Sequence, residues 1–83
     1  MLKRIENIAK INGYHGVRLK AQEELQELIE AIEENVEANI IDEMADVFIT
    51  WRQLMIVYGN EQAVYDRIDY KLDRTEKRLK EEK

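Results

Sequence analysis

Five acids stand at spacings that can do chemistry. Glu23, Glu24 and Glu27 lie in "EELQEL", and Glu43 and Asp46 lie in "IIDEMADVFI". On an ideal helix Glu24 and Glu27 fall on one flank, roughly 100° and 160° from Leu25 in the same rotational sense. Measured from Met44, Glu43 and Asp46 fall at nearly the same two offsets, with Thr50 between them. If the two helices pack antiparallel, four carboxylates converge at the margin of the core. Like charges at close range raise one another's pKa, so such a group needs a compensating cation or a proton. An all-oxygen donor set suits Mg²⁺, or Mn²⁺, better than Zn²⁺. The chain has no Cys and a single His, His15, which sets a structural zinc site aside. Either acid pair alone reads as solvated surface. The doubled arrangement, on a helix apolar over most of its circumference, sets metal binding beside that reading, and the spacing leaves both open.

The elements that must position these acids are helical. Leu2, Ile5, Ile8 and Ala9 predict a short first helix stopped at Asn12–Gly13. "YHGV" leads into a second helix, from roughly residue 17 to residue 35, with Ala21, Leu25, Leu28, Ile29 and Ile32 as its core stripe. "NVEAN" connects it to a third, where Asn39 and Asp42 resemble a capping box. That helix runs to Tyr58 and stops at Gly59, with Asn60 as N-cap of a fourth helix from about Glu61. The fourth carries Val64, Tyr65, Ile68, Leu72 and Leu79 on one side, and its end, "TEKRLKEEK", is expected to fray. No stretch alternates as a strand does. Short connections between helices predict antiparallel neighbours in an all-α, four-helix bundle.

With 83 residues the chain is expected to form one domain, 1–83, too small to bury a generous core. Ala45, Ile49 and Ile56 add a second apolar stripe to the third helix, which favours core completion in a homodimer or homotetramer. A net charge of −5 argues against nucleic acid as partner. "MLKRIENIAK" lacks the apolar run of a signal peptide and no segment is long enough for a bilayer, so a cytoplasmic location without membrane attachment is expected. Trp51 reads as packing rather than base stacking, and His15 as a surface or capping residue. Tyr58, Tyr65 and Tyr70 fit a base pocket, the core or an interface equally well.

"EELQEL" at 23–28 followed by "DEMADVFI" at 42–49 resembles the E-E-x-x-E … E-x-x-D signature of MazG-like nucleotide pyrophosphohydrolases, in the all-α NTP pyrophosphatase superfamily. The similarity extends over "KAQEELQELIEAI", "NIIDEMADVFITWRQL" and "YKLDRTEKRL", and is greatest to the short members from phages and Gram-positive bacteria. It implies a MazG-like bundle that hydrolyses a (deoxy)nucleoside triphosphate to the monophosphate and pyrophosphate with Mg²⁺, as nucleotide-pool housecleaning. By position it makes Glu24, Glu27, Glu43 and Asp46 the metal ligands, and Glu23 a further ligand or a supporting group. Glu24 or Glu27 would activate the water. It also implies that Lys71 and Arg74 bind phosphate, from the same or a neighbouring subunit; Arg18 and Lys20 are weaker candidates. Two other classes compete: a MazG-like interaction or dimerisation module that binds metal without turnover, and a coiled-coil-like dimerisation domain with no metal. The paired acids speak against the last.

Overall fold

The computed structural model describes residues 1–82. Its elements are α1 (Leu2–Glu34), α2 (Glu37–Tyr58) and α3 (Glu61–Glu81), and the described residues hold no strand. The helical reading stands, including the expected break after the first helix. α1 is two helical segments that meet at Gly13, whose φ 73° and ψ 174° leave the helical region, so the stop expected at Asn12–Gly13 is in place. "YHGV" is not a loop, because helical structure resumes directly after Gly13. That backbone conformation is almost confined to glycine, and non-glycine residues there cost about 1–3 kcal/mol. Gly13→Ala is therefore expected to lower unfolding free energy by about that amount, although a Cβ would meet nothing within 4 Å. Gly16 is helical and its Cβ would make an ordinary 3.6 Å contact with Asn12. Gly16→Ala should raise stability by about 0.4–1 kcal/mol, and urea titrations of the two variants check the contrast.

Each connection is built from a left-handed residue. Asn35 (φ 57°) closes α1 by donating its N–H to Ala31, and Gly59 (φ 63°) closes α2 through the carbonyls of Met55 and Ile56. The Asn39–Asp42 capping box does not form. α2 starts earlier, after Val36, and Asn39 lies within it with its backbone N–H on the Val36 carbonyl. Asn60 is the N-cap of α3 as expected, but its side chain makes no capping hydrogen bond. The charged segment "TEKRLKEEK" is helical through Glu81, and Lys83 lies outside the described residues.

The part of α1 after Gly13 and α2 form an antiparallel pair. The part before Gly13 turns back onto the same half of α2, where Asn12 donates to Gln53 and Ile5 and Ile8 share a cleft with Ile49. α3 meets α2 near their turn and, among the described residues, does not reach α1. One chain is therefore not a closed four-helix bundle. The predicted core stripe is also rotated. Ala21 is buried and Leu28 half-buried, but Leu25, Ile29 and Ile32 are exposed. The buried residues of α1 are Ile5 and Ala9 before Gly13, both on the predicted stripe, and Val17, Ala21, Glu24 and Ala31 after it. On α2 Met44 is exposed, and Thr50, Gln53, Met55 and Arg52 are buried. Alanines at the contact let two backbones approach closely, and bulky residues are left on the outer edges. α3 buries none of its residues, so Ile68, Leu72 and Leu79 remain in solvent in a single chain.

The polar tether of α3 is Arg52, which sequence patterning gave no reason to single out. Its guanidinium donates to the Tyr65 hydroxyl and, through Nη2, to Glu61 Oε1 at 3.2 Å. Its Nε is buried without a partner. Arg52→Met keeps the length of the side chain and removes the tether. We expect a loss of about 1–3 kcal/mol, the scale of hydrogen bonds to a charged group, and faster tryptic cleavage within α3.

Candidate acidic site

Rotation of the helix contact carries Glu24 inward. Glu24 is only 5% exposed and lies on the face of α1 turned to α2, rather than on the flank of a leucine stripe. Glu23 and Glu27 stand on either side of it in the same helix, the first exposed and the second half-buried. From α2, Glu43 is half-buried and Asp46 exposed, with buried Thr50 one turn later donating its hydroxyl to the Asp46 carbonyl. Two triplets result, Glu23–Glu24–Glu27 and Glu24–Glu43–Asp46. In each, one carboxylate oxygen per residue lies within 4.8 Å of the others. Glu24 belongs to both. Of the four acids expected to converge, Glu24, Glu43 and Asp46 share one triplet, and Glu27 is joined to them through Glu24, in the triplet that includes Glu23.

The electrostatics of the group are uneven. Burial pushes the Glu43 carboxyl up to about 7, helped by the charges of Glu27, Glu24 and Asp46. Burial likewise raises Glu27 and Asp46, with the Glu24 charge adding to both. Glu24 alone is held below the usual range, mainly by its hydrogen bond to Lys20, with Nζ 3.0 Å from Oε1. Its other oxygen, Oε2, is buried with no hydrogen-bond partner, and so is Glu43 Oε2. Orphaned buried acceptors are costly. Oxygen-only donors, high negative charge and two unpartnered lone-pair sites together fit a hard divalent cation.

Beside the acids is a cleft of about 180 Å³ lined by Glu27, Glu30, Ala31, Glu34, Asn39 and Glu43. None of its lining residues is basic, so an anionic ligand there needs cations from elsewhere. Lys71 and Arg74 are exposed on α3, a helix without contact to α1, and the single chain does not bring them to the acids. Arg18 lies over the Tyr14 ring at 5.2 Å and lines a cleft with Gln22, Leu25 and Tyr58. Trp51 is half-buried and lines a small apolar cleft with Ala21, Leu25, Val47, Thr50 and Leu54. Tyr14, His15 and Tyr58 form an edge-to-face aromatic cluster near the Gly13 break. Tyr70 is exposed under the Arg67 guanidinium at 4.5 Å.

An all-helical chain with a glutamate shared between two carboxylate triplets defines an acid-lined, helical-hairpin class of site. The family model of the MazG nucleotide pyrophosphohydrolase domain matches residues 13–81, and the chain belongs to that family. No curated protein and no solved structure matches it. The match begins at Gly13, where the helical path breaks, and spans the acids, the turn at Gly59 and α3. No helix among the described residues is long and apolar enough to cross a membrane.

Proposed function

We propose that this chain is, as one domain, a Mg²⁺-dependent pyrophosphohydrolase of (deoxy)nucleoside triphosphates, releasing the monophosphate and pyrophosphate. The observation that carries the reading is Glu24, common to both triplets and holding a buried, unpartnered Oε2, as Glu43 of the second triplet also does. Glu24, Glu27, Glu43 and Asp46 would hold Mg²⁺ or Mn²⁺, with Glu23 supporting them. When bound, the ion supplies the positive charge that polarises the phosphate oxygens and makes a nearby water more acidic. Glu27 is the better base of the two candidates, because its pKa is raised while Glu24 is tied to Lys20. Its carboxylate accepts the proton as the water oxygen bonds to the α-phosphorus. The bond from that phosphorus to the bridging oxygen breaks, and pyrophosphate leaves. Lys71 and Arg74 would bind phosphate from a second subunit, since in their own chain they lie apart from the acids. Exposed Ile68 and Leu72 beside them suit a homodimer or homotetramer. The experiment is a panel of NTPs and dNTPs with Mg²⁺, followed by pyrophosphate and monophosphate release.

The second reading is a module that keeps the acids and does not turn over. Separation of Lys71 and Arg74 from the acids favours it. Absence of release on every nucleotide by folded protein would select it.

A further inference from the structure

The acid cluster carries its own cation. Lys20 sits one turn before Glu24, with Nζ 3.0 Å from Glu24 Oε1 and 3.7 Å from Glu23 Oε1. Its charge also acts on Glu27 and on Asp46 across the helix contact. It thus reaches the residue common to both triplets, on the oxygen of Glu24 that is not orphaned. Half of the Lys20 side chain is exposed, so the ammonium has a route out to water. We propose that Lys20 is a resident counter-cation of the acid site, and that a divalent ion binds by displacing its ammonium from Glu24.

The exchange rests on the metal-site reading above and adds what that reading lacks, a competitor that sets affinity. A compact ammonium on a flexible stem is suited to leave, because its one close contact is to Glu24, Glu23 standing off at 3.7 Å. A divalent ion that engages three carboxylates has the larger attraction, and the displaced ammonium loses only a partly solvated pair. Without the ion, the same ammonium offsets part of the repulsion among acids that the helix contact forces together. Lys10 makes the same type of pair, at 3.1 Å to Glu6, in the segment before Gly13 and outside both triplets. It serves as an internal control for the loss of one positive charge.

The test is a calorimetric Mn²⁺ titration of the wild type, Lys20→Met and Lys10→Met, with far-UV circular dichroism to verify the fold. Lys20→Met should bind Mn²⁺ about ten-fold more tightly, the scale of one screened charge contact, while Lys10→Met stays within two-fold of the wild type. Lys20→Met should also melt lower than the wild type without metal and gain more on adding it. If the wild type binds Mn²⁺ and Lys20→Met binds no more tightly, or both lysine variants tighten equally, the exchange is wrong and the metal site stands. If neither the wild type nor Lys20→Met binds Mn²⁺, the metal site itself is wrong and the exchange falls with it.

Discussion

Glu24→Gln should remove Mn²⁺ binding from the calorimetric trace and lower pyrophosphate release by about 1,000-fold or more, the scale of losing charge stabilisation at a phosphoryl centre. The size of the effect follows from geometry. Every other acid of the group belongs to one triplet, whereas Glu24 belongs to both. An amide keeps the volume and the burial, so the hairpin should remain folded. It removes the negative charge, and it places a group with donor hydrogens opposite Glu43 or Lys20, one of which it suits badly. Asp46→Asn touches one triplet and an exposed position, and should cost less. Equal losses in the two variants would mean that the shared position is not special. Retention of full turnover in Glu24→Gln would remove the catalytic assignment.

The second large effect is on stability against pH. Glu43 titrates near 7 in the folded chain, against an ordinary value of 4.5. Between those values the folded state holds a proton that the unfolded state has lost. Folding is then favoured as pH falls, and stability is lost as pH rises through about 7. Glu27 and Asp46 are shifted in the same direction and add to the slope. Glu24 is shifted the other way, so its contribution changes only at and below its ordinary value of 4.5. Metal-free protein should therefore melt several degrees higher at pH 5.5 than at pH 8, and Mg²⁺ should restore stability at pH 8. Glu43→Gln should flatten the metal-free profile and melt above the wild type at pH 8, at the expense of metal binding. A metal-free profile that rises with pH would contradict the charge distribution described above.

The two inner helices were legible because their signals are local. The spacing of Glu24 to Glu27 and of Glu43 to Asp46 survives any rotation of a helix, and Gly59 ends α2 through its own left-handed backbone. The rotation itself was not legible. An apolar stripe marks the buried face before Gly13, where Ile5 and Ala9 are buried, yet after it the buried residues of α1 are Val17, Ala21, Glu24 and Ala31. Large apolar residues such as Leu25 and Ile29 are exposed, so apolar content did not report which face α2 covers. The same error placed Glu24 at a margin when it is buried. Arg52 was hidden for a related reason. A buried arginine has no periodic signature, and its partners Tyr65 and Glu61 are brought to it by a turn whose geometry Gly59 sets. The Asn39–Asp42 pattern failed because the helix was already under way before it.

α3 has a consequence for how the chain opens. A helix that buries no residue, half-buries Val64 and takes its side-chain hydrogen bonds to α2 from Arg52 has little cooperative stake in the rest of the fold. Its amide hydrogens should exchange with solvent long before those of α1 and α2, as a separate unit of low opening free energy. Isolated helices of about this length are marginal in water. Protection along α3 thus becomes a gauge of company: slow exchange there, growing with protein concentration, registers that another surface has closed over Ile68 and Leu72.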